Sequence, residues 1–165
     1  MELLAYSSHG SDSRCRPSVG YVKLNGNVVW LGSWCGSFSN PRGINLLEID
    51  PFICAPPRQV RQYDTHASST DARQLIDYIR YRLDDGSVIV GVTADEPQQT
   101  LSDALPALRQ LGVDVDDLHY RGSFAFIAQK GYRAKTALST ALNETESTRA
   151  PAHVNALITG AQQRD

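Results

Sequence analysis

The chain has 165 residues, 41% of them hydrophobic, which is enough for one domain with a real core and short of what two cores need. Its formal net charge is -2 with bases interspersed among acids, so the charge footprint of a nucleic-acid or anionic-membrane binder is absent. No apolar run approaches the roughly 18 residues of a membrane span, and MELLAYSSHG lacks the basic start and long apolar stretch of a signal peptide. The expectation is a soluble chain, free of membrane insertion, whose leader is either already removed or never existed.

Three cysteines, Cys15, Cys35 and Cys54, are widely spaced without a CxxC pair, which argues against a zinc site. One disulfide with one free thiol, or three buried thiols, are both compatible with that spacing. Residues 20–31 hold two alternating runs around Asn25-Gly26, a dipeptide that takes the positive φ angles of a tight hairpin turn. Residues 32–43, rich in Gly and Ser with Asn40-Pro41 near the end, predict a loop that delivers Arg42 and Gly43 to a strand over 44–49. Beyond Asp50-Pro51, the adjacent prolines Pro56 and Pro57 discourage ladder pairing before a short strand ending at Tyr63.

Asp64 and Thr65 organise a turn into the first helix. Ser68 and Asp71 resemble a capping box, and Ala72, Leu75, Ile76, Ile79 and Leu83 recur at helical spacing until Asp85-Gly86. SVIVGVT, residues 87–93, is too short and too β-branched for a helix and reads as a buried strand, followed by the polar loop ADEPQQT. A second helix is expected from Thr100 or Ser102 to Leu111-Gly112, with Pro106 tolerated near its first turn. The last expected strand covers 123–128. The chain thereafter turns Ala-, Thr- and Ser-rich, and Asn143-Glu144-Thr145 forms a glycosylation sequon that matters only in a secreted protein. The domain reading is a single domain over 1–135, N-terminal hairpin included, with a peripheral helix or loose tail over 136–165.

Several strands with two to three flanking helices and no strict βαβ rhythm favour an α+β fold with mixed or antiparallel sheets. GxGxxG, GxxxxGK[ST] and GxSxG are all absent, and with them the usual sequence evidence for dinucleotide, nucleotide or esterase chemistry. No cofactor and no metal are expected.

Read in order, RGINLLEIDP, RQYDTH, DDGSVIVGVTADEP, LRQLG and YRGSFAFIAQKG resemble the GG domain of the interleukin-like EMT inducer family across 42–131, and more loosely the hairpin CRPSVGYVKLNG. The resemblance implies two β-sheets with flanking helices, an extracellular setting and no catalytic centre. Family members include secreted cytokine-like proteins and the stem domain of protein O-mannose N-acetylglucosaminyltransferase, which binds β-linked N-acetylglucosamine. Matched motif by motif, the sugar-holding positions of that stem domain fall on Arg42, Asp95 and Arg121, with Glu96, Tyr120 and Trp34 as supporting candidates. This chain departs from the pattern at Gly122, where the family commonly carries an acid after the arginine, and at Pro97, where a small residue is usual.

The chemistry of the trio is consistent with sugar recognition. A carboxylate only accepts hydrogen bonds and guanidinium forks only donate them, so together they match hydroxyls that do both. The competing reading is an ion pair of Arg42 or Arg121 with Asp95 or Asp64 that binds nothing. Trp30, Trp34 and Tyr120 suit either sugar stacking or core filling, and His66 and His119 are expected to be hydrogen-bonded or exposed. The leading expectation is therefore a homo-oligomeric lectin for N-acetylglucosamine or a related β-linked terminal sugar, with glycans or glycoproteins as partners. A secreted cytokine-like signalling protein stands second. Third is a glycosidase-like carboxylate pair among Asp64, Asp95 and Glu96, for which the sequence gives no separation.

Overall fold

The computed structural model describes residues 1–8, 19–33, 42–50, 55, 57, 59–94, 97, 99–113, 115, 118, 122–131, 138–140 and 152–157. Two antiparallel sheets and two helices account for them. The first sheet contains β1 (Glu2–Ser8), β2 (Val19–Leu24), β3 (Asn27–Ser33) and β9 (Ala152–Leu157) in the order β3-β2-β1-β9. The second contains β4 (Ile44–Ile49), β5 (Val60–Tyr63), β6 (Val88–Thr93), β7 (Ser123–Gln129) and β8 (Leu138–Thr140) in the order β5-β4-β6-β7-β8. The helices are α1 (Ser69–Asp77) and α2 (Leu101–Gln110).

The side-chain alternation of the second sheet fixes the layering. On β4, Ile44 and Leu46 point to the core shared with the helices, whereas Leu47 and Ile49 point to the core shared with the first sheet. On β6 and β7 the same split puts Ile89, Phe124 and Phe126 on the helix side and Val88, Val90, Val92, Ala125 and Ile127 on the sheet side. A strand covered on both faces has no polar side to show, and this explains the unbroken apolar run of SVIVGVT. Each large side chain buried this way contributes about 1.5–3 kcal/mol. The first sheet turns Leu3, Ala5, Val22, Leu24, Ala152 and Val154 inward to that core.

The hairpin forms as the sequence predicts, with Asn25 at φ 48 and Gly26 at φ 81, the two positive angles of a turn that matches strand twist. Ser68 caps α1, its hydroxyl accepting from the Asp71 amide at 3.1 Å. The helical run then changes pitch. Tyr78–Arg82 form a π-helical turn, closed by the Leu83 amide donating to the Tyr78 carbonyl at 2.9 Å. This keeps Tyr78, Ile79 and Leu83 in the core and leaves Tyr81 74% exposed. In α2, Pro106 is not in the first turn as expected but lies inside the helix, so the Ser102 carbonyl lacks its helical amide donor. Burial of Leu101, Ala104, Ala107 and Leu108 against the core holds the helix across that gap.

The C-terminal expectation needs correction. Strands, rather than a helix or loose tail, occupy Leu138–Thr140 and Ala152–Leu157. β9 pairs with β1 in full register, Leu3 opposite Ala156 and Ala5 opposite Val154, and its inward Ala152 and Val154 complete the inter-sheet core. The N-terminal residues Glu2–Ser8, which carry no strand expectation, form the inner strand that makes this possible. Cys15, Cys35, Cys54, His119 and Asn143 lie outside the described residues.

Candidate functional site

Register brings four strand ends of the second sheet together. Ile44 opens β4 opposite Tyr63, which closes β5, and opposite Thr93, which closes β6. Val92 faces Ala125, so the close of β6 also lies beside the opening of β7 at Ser123. Gly43 with Arg42, Asp64, Ala94 and Gly122 are the described residues just beyond these ends. Loops leaving adjacent rigid strands at one end are a common seat of binding residues.

Arg42 and Asp64 meet there. The Arg42 Nε donates to Asp64 Oδ1 at 3.0 Å and to Oδ2 at 3.2 Å, and Nη2 donates to Oδ2 at 2.5 Å, a side-on fork. Both side chains remain about a quarter exposed, at 26% and 25%. Gly43 permits this approach: at φ 86, a Cβ on it would sit 2.1 Å from the Tyr63 carbonyl oxygen. Gln62 Nε2 steadies the strand entry by donating to the Arg42 carbonyl at 3.2 Å.

Asp64 also organises the turn into α1, as expected. Its Oδ1 accepts from the Ala67 amide at 3.1 Å, its carbonyl accepts from the Ser68 amide at 2.9 Å, and its own amide donates to Asp71 Oδ2 at 2.9 Å. Burial alone pushes the Asp64 carboxyl up. Hydrogen bonds from Arg42, Ala67 and His66, together with the Arg42 charge, more than offset this and hold it below its ordinary value of 3.8. The carboxylate is therefore ionised at neutral pH. The Thr65 carbonyl accepts from both the amide and the hydroxyl of Thr100, at 2.7 and 2.5 Å, which fastens the turn to the start of α2. Among the described residues, Thr65 Oγ1 and His66 Nδ1 are buried here with no hydrogen-bond partner. His66 as a whole is only partly buried.

A second polar group joins the two sheets at the same end. Ser7 Oγ donates to the Thr93 carbonyl at 2.6 Å and lies 2.9 Å from Thr93 Oγ1, while the Phe124 amide donates to Thr93 Oγ1 at 3.1 Å. Ser123 Oγ, beside them in sequence, is buried with no hydrogen-bond partner among the described residues. Sequence reasoning passed over Ser7 and Thr93, because isolated hydroxyls in apolar strands carry no motif.

Of the predicted site residues, Arg42 is described and is paired with Asp64, one of the two acids that the ion-pair reading names. Asp95, Arg121, Glu96, Tyr120 and Trp34 lie outside the described residues. Trp30 packs against the inter-sheet core rather than standing free.

These features define an α+β domain of two stacked antiparallel sheets, with helices over one of them and a half-buried arginine–carboxylate pair at a strand end. Residues 42–132 match the family described as interleukin-like EMT inducer, and the chain belongs to that family. The match begins at Arg42 itself and spans Asp64, Asp95 and Arg121. No curated protein matches the chain.

Proposed function

We propose that this chain is a carbohydrate-binding lectin for N-acetylglucosamine or a related β-linked terminal sugar, acting without catalysis through Arg42, Asp95 and Arg121. The observation that carries the reading is the family match over 42–132, which spans Arg42, Asp95 and Arg121; the Arg42–Asp64 fork is equally what the non-binding ion-pair reading expects and adds only a fixed orientation for Arg42. A guanidinium held at 2.5–3.2 Å by an ionised carboxylate, yet a quarter exposed, is a fixed donor array at a strand end. Positioned donors lose little freedom when a ligand arrives, which favours binding of small polar molecules. The family's sugar-binding member supports the same assignment of residues.

A monosaccharide of roughly 15 heavy atoms at about 0.3 kcal/mol per atom binds at around the millimolar level. Useful recognition of glycans or glycoproteins then needs several sites in one homo-oligomer, where avidity multiplies affinity by about a hundredfold or more. Secretion and an extracellular setting follow from the family reading. Among the described residues no helix is long and apolar enough to cross a membrane.

A glycan array with free-sugar competition tests the proposal. Arg42→Ala is expected to lower retention of N-acetylglucosamine-terminated glycans at least tenfold with the circular dichroism spectrum unchanged; equal retention by the variant rejects this site. The family description as an inducer favours a second reading, a secreted cytokine-like signal for a receptor. Receptor-cell responses that survive Arg42→Ala, with no glycan retained by either protein, select that reading.

A further inference from the structure

The register between β6 and β7 runs from Val88 opposite Gln129 to Val92 opposite Ala125 and stops there, although β6 continues to Thr93 and β7 begins at Ser123. Thr93 and Phe124 would form the next pair. Antiparallel strands join amide directly to carbonyl, but here two hydroxyls intervene. The Thr93 carbonyl accepts from Ser7 Oγ at 2.6 Å, and the Phe124 amide donates to Thr93 Oγ1 at 3.1 Å and to Ser7 Oγ at 3.3 Å. Thr93 Oγ1 in turn donates to the Phe124 carbonyl at 3.2 Å.

Ser7 reaches this pair from the other sheet. It belongs to β1, outside the segment 42–132 that matches the family, so the match assigns it no part. Gly20 opens the way: it stands opposite Ser7 on β2, and a Cβ on it would lie 2.7 Å from Val92 Cγ1 and 3.1 Å from the Thr93 carbonyl oxygen. Ser7 and Thr93 are each 1% exposed, too deep to touch a ligand. Alanine and valine would fill the same space with no polar atom to satisfy, so burial alone gives no reason for two hydroxyls. What the hydroxyls add is a directional link from one sheet to two strands of the other.

The two neighbours of β6 are tied to its end in different ways. On one side Ile44 stays paired with Thr93, which fixes the entry of Arg42 by backbone register. On the other side the entry of β7, which follows Arg121 in the chain, is tied to the end of β6 through the two hydroxyls. We infer that Ser7 and Thr93 are positioning residues of the site: their hydroxyls keep the last pair of β6 and β7 from closing, and so set the gap between the chain that leaves for Asp95 and the chain that arrives from Arg121. The inference rests on the proposed function, in which Asp95 and Arg121 hold the sugar together with Arg42, and adds to it a residue of the first sheet. Groups that hold ligand-contacting residues in place affect binding without contact of their own.

Two measurements on the full chain test this. The first is the weakening of retention on N-acetylglucosamine-terminated glycans, read by competition with free N-acetylglucosamine; the second is the amide NMR spectrum without ligand. Ser7→Ala and Thr93→Val should each weaken retention about fivefold or more, the effect of one lost hydrogen bond. Thr93→Ser, which keeps the hydroxyl, should stay within about twofold of wild type, and so should Val88→Ala, a core truncation at the far end of β6 that lowers stability without touching the hydroxyls. In Ser7→Ala the amide signals of Arg121 and Gly122 should move, and in Val88→Ala they should not. Retention by Ser7→Ala and Thr93→Val equal to wild type, while Arg42→Ala loses it, overturns the inference and leaves the sugar reading intact. An equal loss in Val88→Ala also overturns it, because the effect is then one of stability. If wild type retains no glycan the sugar reading fails and the spectra decide: unmoved Arg121 and Gly122 signals in Ser7→Ala overturn the positioning role, and moved ones uphold it.

Discussion

Gly43 lies between Arg42 and the Asp64 turn, so replacing it asks whether the ion pair depends on close backbone approach. At φ 86, a Cβ on Gly43 would lie 2.1 Å from the Tyr63 carbonyl oxygen, 2.7 Å from the Thr65 amide nitrogen and 2.9 Å from the Asp64 Cα. All three are backbone atoms, with no rotamer to swing aside. Gly26 in the hairpin has nearly the same angle, φ 81, and nothing within 4 Å of its would-be Cβ. Gly26→Ala therefore bears only the left-handed cost of about 1 kcal/mol. Gly43→Ala bears that and the displacement of the turn, about 2–3 kcal/mol more by comparison with overpacked cores. At about 2–4 °C per kcal/mol for a chain of this size, Gly26→Ala should melt about 2–4 °C below wild type and Gly43→Ala about 6–16 °C below it. Far-UV circular dichroism melts, supported by urea midpoints, give both numbers. Two variants melting within about 2 °C of each other would refute the reasoning, since only the space around the Cβ distinguishes them.

Asp64→Asn should cost about 1–2 kcal/mol at neutral pH, less than a fully buried pair because both partners are a quarter exposed. The folded Asp64 carboxyl lies below its unfolded value of 3.8, so its contribution is complete above that pH and is lost as pH falls through the lower folded value. The urea midpoints of wild type and variant should thus converge in strong acid; a constant gap contradicts the assignment. Burial pushes Tyr63 up to about 12 despite the nearby Arg61 charge, and burial with the Glu48 hydrogen bond raises Tyr78 further. Both contribute stability that is full below the ordinary value of 10.0 and lost as pH rises through the raised values. Absorbance titration should show these tyrosines ionising together with unfolding rather than near pH 10. Val154→Asp, at a position only 4% exposed on β9, should destabilise by about 3 kcal/mol or more, whereas a C-terminal segment that packed nowhere would tolerate it, as equilibrium urea denaturation will show.

How much was legible depended on whether one face of an element differed from the other. The hairpin at Asn25-Gly26 and the cap at Ser68 announce themselves because turn and cap chemistry are local. SVIVGVT reads correctly because burial on both faces leaves no polar position. β1 escapes notice for the opposite reason: Leu3 and Ala5 point inward while Leu4 and Tyr6 point outward, so its alternation is blurred by the apolar outer face. β9 does alternate, with Ala152 and Val154 inside and His153 and Asn155 outside, and that signal would have found it. Its composition, continuous with the Ala-, Thr- and Ser-rich stretch before it, suggests a helix or tail instead. The π-helical turn at Tyr78–Arg82 has no signature in the spacing, because Ile79 and Leu83 fit an ordinary helix equally well. At the site, the family resemblance pointed to Arg42, and the ion-pair reading offered it Asp64 or Asp95 as a partner. The Arg42–Asp64 contact is set by strand register and by Gly43, neither visible from spacing alone.

The polar seam between the sheets gives this end of the fold the fixed alignment that the proposed site requires. Among the described residues the two sheets otherwise meet mainly through hydrocarbon, with Leu3, Val22, Leu47 and Val90 among the contacts. Such contacts fix the distance between layers but resist sliding only through shape. Hydrogen bonds are directional, so the bonds among Ser7, Thr93 and the Phe124 amide set the position of β1 of one sheet against β6 and β7 of the other. Buried hydroxyls are costly unless paired, which restricts such a device to a place where alignment matters. It sits where β6 ends and β7 begins, one residue from the loop that carries Asp95 and beside the entry that carries Arg42. Residues far apart in sequence hold a common geometry only if the strands that bear them cannot shift against one another, and this seam supplies that constraint.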